Sequence, residues 1–211
     1  MEDRKFEHRI RISGKVKSKL PIDSEIHNSI SEYGINPSVL NYPLQKVIIN
    51  STKGDLSGLG CSNINGGIEF LSPVMKDKTM TLGNPGLIMF KKSKKKNTRE
   101  CYLLFNMIDY LALRTLQHEG HLAGKYPVFA DYLILNDVRN VLSFICESEV
   151  YDVIHSMLPR TDAGLILTET MKTRNPHHVK DDSELFDGFE SISKYLYNKK
   201  NDESNGNNEN Q

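Results

Sequence analysis

Along residues 4–21, RKFEHRIRISGKVKSKLP, the positions Phe6, His8, Ile10, Ile12, Gly14 and Val16 share one parity, and Glu7, Arg9, Arg11, Ser13, Lys15 and Lys17 share the other. Period-two alternation predicts a strand with one face inward. It leaves Arg9, Arg11, Lys15 and Lys17 together on the outer face, opposed by Glu7. After Pro21 the period lengthens: Ile22, Ile26, Ile30 and Tyr33 mark one face of a helix that Asp23 or Ser24 caps and Gly34 stops. A turn-rich INPSVLNYP then leads to LQKVIIN, residues 44–50, a short apolar run of strand type.

Residues 51–67, STKGDLSGLGCSNINGG, are rich in turn formers and predict a long loop. IEFLSPVM, TMTL and GLIMF read as short strands, separated by KDK and GNPG turns. In ECYLLFNMIDYLALRTLQHEG, residues 100–120, Leu103, Leu104, Met107, Ile108, Leu111 and Leu116 favour a helix, although CYLLFNMI alone also suits a buried strand. Further on, Asn136 caps a helix carrying Val138, Val141, Leu142 and Ile145. Ser148 caps another with Tyr151, Ile154 and Leu158 that Pro159 ends, while GLILTETM, residues 164–171, is a strand candidate. A last amphipathic helix starts at Ser183 with Phe186, Phe189, Ile192, Tyr195 and Leu196.

These elements predict an α+β fold: one domain over residues 1–198, with a mixed or antiparallel sheet packed against amphipathic helices. The polar remainder, 199–211, has little to bury and is expected to be disordered. A chain of 211 residues with 38% hydrophobic residues can bury one sizeable core. No run approaches the length of a membrane span, and MEDRKFEHR lacks the apolar core of a secretory signal, so cytosol or nucleus is the expected compartment. Cys61, Cys101 and Cys146 have no paired spacing and read as reduced core thiols.

Formal neutrality conceals a split. Residues 1–100 hold 17 Lys+Arg against 10 Asp+Glu, and residues 101–211 hold 10 against 17. A basic half suits phosphates or anionic lipid, and an acidic half suits a basic partner, including another copy of the chain or a host protein. Lys91, Lys92, Lys94, Lys95 and Lys96 form a compact cluster that reads as a nuclear-import signal or as a patch for RNA phosphates or an anionic membrane. With the basic strand face, Arg9, Arg11, Lys15 and Lys17, it makes up the candidate binding residues.

Catalytic signatures are absent. GDLSGLGCSNINGG lacks the Gly-Lys-Ser/Thr ending of a P-loop, and no Gly-x-Ser-x-Gly elbow occurs. In QHEGH, His118 and His121 with Glu119 could share a helical face and serve a metal-dependent enzyme, but Gly120 interrupts and no third ligand follows. NPHHVKDD, with His177, His178, Asp181 and Asp182, reads as a polar loop. Neither an enzymatic role nor a metal or cofactor is therefore expected.

IRISGKVKS at 10–18, IDSEIHNSISEY at 22–33 and KVIIN at 46–50 resemble the opening of the folded core in rhabdovirus matrix proteins: an alternating basic strand, an amphipathic helix, a short Val/Ile strand. The resemblance implies a self-associating α+β structural protein that binds nucleocapsid and anionic membrane, in the virion or on the inner face of a membrane. It also implies host cytoplasm or nucleus. Animal members carry a long basic arm and a Pro-Pro-x-Tyr motif, whereas this sequence has only NYPLQ and KYPVF, so a plant or insect matrix protein or a small accessory protein fits better.

Overall fold

The computed structural model describes residues 10–11, 15–51, 54–72, 79–91, 99–127, 129–174 and 178–208, with backbone alone at 10, 11, 51 and 204–208. Two sheets make up an α+β fold. The first has the order β1(Ile10–Arg11), β6(Thr79–Leu82), β5(Ile68–Leu71), β4(Gly54–Ser62), β3(Gln45–Ser51), β2(Lys15–Leu20). Strands β2 to β6 pair antiparallel, and β1 joins β6 in parallel.

The alternating opening segment is thus not one strand. Its two halves pair at opposite edges of a six-stranded sheet, with three residues between them. Five inter-strand steps of a flat sheet would put these edges about 24 Å apart. The four residue steps from Arg11 to Lys15 span at most about 14 Å. The sheet must therefore curl. One of its faces carries a buried cluster of Val47, Ile49, Ile68, Phe70, Met80 and Leu82.

The curl explains the glycines read as a loop. Residues 54–62 are β4, the longest strand of this sheet. A Cβ at Gly58 would lie 2.6 Å from the Phe70 ring, and one at Gly60 would lie 2.7 Å from Val47. Here glycine makes room for core side chains from neighbouring strands, not for a flexible backbone.

Helix α1(Ser24–Ser31) forms as its spacing requires, with the Asp23 carboxylate accepting from the Ile26 N–H and Gly34 at φ 74° closing the end. Its Ile26 and Ile30 enter the main core beside Leu59, Cys61 and Leu71, on the face of the sheet opposite the Val47 and Phe70 cluster.

The second sheet has the order β11(Val179–Asp181), β10(Val153–Ser156), β8(Glu100–Leu104), β9(Asp131–Ile134), β7(Ile88–Phe90). Four strands run parallel and β7 is the antiparallel edge. Helix α2(Met107–His118) connects β8 to β9 and packs in the main core with Met107, Leu111 and Leu116. On the other face, α3(Val141–Ser148) and α4(Asp162–Arg174) cover Cys101, Leu103, Leu133 and Ile154 with Phe144 and Met171. Crossovers of one hand that step in opposite directions from β8 must place their helices on opposite faces.

Several local expectations change. The helix favoured over residues 100–120 divides into β8 and α2, so the strand alternative holds for its first part. Residues 153–156 form a strand, not a helix, and 164–171 form a helix, not a strand. A final helix, α5(Ile192–Asn208), starts nine residues after Ser183, behind a short 3-10 turn at Ser183–Phe186. It also runs on through residue 198, and Lys200 pairs with Glu119 at 2.7 Å.

Candidate functional site

In open parallel sheets the strand ends diverge where successive crossovers leave a strand in opposite directions, and a crevice opens at the carboxyl ends. Here that point lies between β8 and β10. Beyond β8, the Asn106 side chain caps α2 by accepting from the Asp109 N–H at 2.8 Å. Beyond β9, Leu135 and Asn136 stay paired through their N–H groups with the carbonyls of Leu104 and Phe105, at 2.9 and 2.7 Å. Asn136 has φ 59°, the one non-glycine with positive φ among the described residues. Such backbone costs about 1 kcal/mol or more and collects at functional sites.

Asp137 follows, held in a fork with Arg139. Beyond β10, the Arg160 N–H donates to the Glu190 carbonyl at 2.8 Å, and its guanidinium pairs with Asp187 at 3.2 Å. The segment that supplies Glu190 and Ser193 thereby reaches the same end of the sheet.

Asp109, in the first turn of α2, is fully buried. One carboxylate oxygen accepts from the Ser193 hydroxyl at 2.7 Å, and the other has no hydrogen-bond partner among the described residues. Burial pushes its pKa up to about 6 against the pull of hydrogen bonds from Ser193 and Ser191. The buried Asn136 Oδ1 likewise has no partner. Each buried acceptor left unpaired costs about 1–3 kcal/mol. Each of these two positions, Asp109 after β8 and Asn136 after β9, is therefore suited to a cation or to N–H and O–H donors. A bare anion would meet the Asp109 carboxylate.

The residues singled out by sequence lie elsewhere. Lys15 and Lys17 are exposed on the edge strand β2, and Lys17 pairs with Asp55 at 2.5 Å. Arg11 belongs to β1 at the far edge, so a basic face shared by Arg11, Lys15 and Lys17 on one strand does not exist. Arg9, Lys92, Lys94, Lys95 and Lys96 lie outside the described residues. Lys91 is exposed where antiparallel β7 ends, hence at the end of the sheet opposite the crevice.

His118 is exposed at the end of α2, Gly120 at φ 79° turns the chain, and Glu119 is taken up by Lys200 and Asn36. Among the described residues no three His, Cys, Asp or Glu side chains are grouped to hold a metal. The second polar cluster is dispersed: His178 meets the Tyr151 carbonyl, Asp181 accepts from the Ser183 N–H, Asp182 meets His155, and His177 lies outside the described residues. Cys61 and Cys101 are buried, as core thiols should be, whereas Cys146 is exposed, and no disulfide joins any of them among the described residues.

No protein-family model and no curated protein matches the chain. Among the solved structures that are similar are two of bacteriophage T7 proteins. One is the primase fragment of the bacteriophage T7 primase-helicase protein, at 16% identity and TM-score 0.44, over 74% of this chain and 66% of that one. The other is the T7 lagging-strand DNA polymerase interacting with primase domains bound to an RNA/DNA hybrid and dTTP, at 15% identity and TM-score 0.38, over 72% of each chain. Neither is a matrix protein. With the opening segment split across two sheet edges, the rhabdovirus matrix resemblance is withdrawn. So are the readings that stood beside it: the structural or accessory virion role, host-protein binding by the acidic half, and the expectation of no enzymatic function. The metal-enzyme alternative at His118, Glu119 and His121 falls because, although His121 lies 3.5 Å from Glu119, Lys200 takes up that carboxylate and no three such side chains group among the described residues.

Asp109 and Asn136 escaped the sequence reading. A usable signal was present: Asp109 sits inside the apolar stretch MIDYLAL, and Asn136-Asp137 directly follows the apolar run DYLIL.

Proposed function

We propose that the chain binds the phosphate-bearing end of a nucleotide or nucleic-acid strand at the carboxyl ends of β8, β9 and β10, with a divalent cation between Asp109 and the phosphates. One observation carries this: the unpartnered, buried Asp109 oxygen lies where α2 leaves the carboxyl end of β8, beside the β8–β10 switch point, with the unpartnered Asn136 oxygen one strand over, beyond β9. Hard divalent cations such as Mg²⁺ use one or two carboxylate or carbonyl oxygens together with ligand phosphates. The start of α2 adds its positive dipole end, which favours phosphate once the carboxylate charge is offset.

Calorimetric titration with a nucleoside triphosphate and with a short 5′-phosphorylated single strand tests this reading. Binding is expected with Mg²⁺ and is weakened at least about tenfold by EDTA; Asp109→Asn removes the Mg²⁺ dependence. Absence of binding to either ligand in Mg²⁺, or identical behaviour of the Asn variant, defeats the reading.

The exposed lysines of β2 support contact with the rest of a strand. Lys15, Lys17 and Lys19 are exposed on the edge strand, with Asp55 engaging Lys17. Each phosphate contact on a single strand contributes about −0.7 to the slope of log affinity against log salt. Replacing all three by Gln should flatten that slope by about 1–2. An unchanged slope would remove β2 from the binding surface.

A further inference from the structure

His155 projects from β10 on the face opposite α3 and α4, and its side chain is 7% exposed. Its ring lies 5.2 Å from the Tyr102 ring. Nδ1 is 2.5 Å from an Asp182 carboxylate oxygen and Nε2 is 3.1 Å from one of Glu100. A neutral imidazole has one N–H and could donate to only one of them; two carboxylates on two nitrogens require the imidazolium. The three side chains belong to β8, β10 and the residue after β11, so the ring joins three elements.

The segment beginning at Asp182 continues through Ser183–Phe186 to Asp187, which pairs with Arg160, then to Glu190 and to Ser193, the hydroxyl on Asp109. It is therefore fastened by His155 at one end and by Asp109 at the other. We propose that His155 is a proton-sensitive strap, holding segment 182–193 against β8 and β10 while charged and loosening it, with the crevice it borders, when the proton leaves. This rests on the crevice reading for its effect on ligand, but not for the strap itself. His155 is a positioning residue, remote from the ligand.

The groups around the ring favour this behaviour. Glu100 and Tyr102 face it from β8, Lys180 is its register partner on β11, and Asp182 follows. Tyr126, under the influence of Asp182 and Glu184, lies on the same side. Burial opposes the charge on His155, but the hydrogen bonds to Asp182 and Glu100 outweigh it and raise its pKa above the ordinary 6.5. A raised histidine contributes its full stabilisation below pH 6.5 and loses it as pH climbs through the folded value. Above pH 7 Asp109 is already largely ionised, so it adds little change in that window.

Amide hydrogen exchange on the full chain between pH 7 and 9.5, corrected for intrinsic rates, tests the strap. Protection of residues 183–190 is expected to fall several-fold with rising pH in the native chain. In Asp182→Asn and in His155→Gln it is expected to be low throughout, while α2 keeps its protection. Flat protection in the native chain overturns the proposal. A falling profile without any nucleotide or strand binding leaves the strap standing and defeats the crevice reading; binding with flat protection does the reverse.

Discussion

Asp109→Asn is expected to stabilise the chain by about 2 kcal/mol at pH 8 and to give no gain below about pH 4. The native carboxyl titrates at about 6 in the folded state against 3.8 as its reference value. A folded pKa above the unfolded one means that the native state holds the proton longer, so stability falls as pH rises from near 4 to above 6. A difference of this size corresponds to about 3 kcal/mol. Asparagine removes the charge and keeps an acceptor for Ser193, but it leaves a buried N–H₂ where the unpartnered oxygen stood, which takes back about 1 kcal/mol. For a chain of this length the remainder raises Tm by about 4–8 °C. Thermal melts of both proteins at pH 4, 6 and 8 decide it. A native chain at least as stable as the variant at pH 8 would mean that the carboxylate is compensated, and Asp109 would lose its standing as a site residue. A destabilising buried charge kept at the carboxyl end of a parallel strand is the trade of stability for function seen at binding sites.

Elements whose sequence signal comes from one exposed and one buried face were legible. The Ile spacing and Asp23 cap of α1 are of this kind, while β3, buried or half-buried from Gln45 to Ile49, was legible only as a short apolar run bounded by turn residues. The parallel sheet was less so, because strands covered on both faces do not alternate. Residues 148–158 carry Tyr151, Ile154 and Leu158 at helical spacing, yet the strand within them is Val153–Ser156, whose buried His155 and Ser156 are satisfied by Asp182 and by Thr168. Conversely, α4 buries Gly164, Thr168 and Met171, a stripe too small and polar to announce a helix, while exposing Ile166. In β4, composition spoke for a loop and packing against Phe70 and Val47 decided for a strand.

The candidate site was illegible for a related reason. Lysine runs stand out in a sequence, but Asp109 and Asn136 matter because both are buried without a partner, and burial is a property of the folded sheet. Once two neighbouring strands were mistaken for helices, no crossover order could be drawn and no crevice located.

Gly164→Ala is expected to lower stability by about 3 kcal/mol, against the ordinary expectation for a helix. Alanine in a helix interior is favoured over glycine by about 1 kcal/mol. At this position, however, a Cβ would lie 2.0 Å from the Pro159 carbonyl oxygen and 3.0 Å from its carbon. Backbone blocks it, so no side-chain rotation relieves the contact. The first turn of α4, held by the Gly164 N–H on the Thr161 hydroxyl at 3.2 Å, would have to move by about 1 Å or more from the end of β10. Thr168 would then leave Ser156, now 3.0 Å away, and Met171 would leave the core under β8 and β10. Pro159 and Arg160 would be pushed toward the crevice, weakening the hold of Arg160 on Glu190 and Asp187. Urea denaturation should show a lower midpoint at unchanged slope, and ligand affinity should fall with it. An unchanged or higher midpoint would show that α4 approaches β10 less closely than 2.0 Å implies, and the link between this helix and the crevice would go with it.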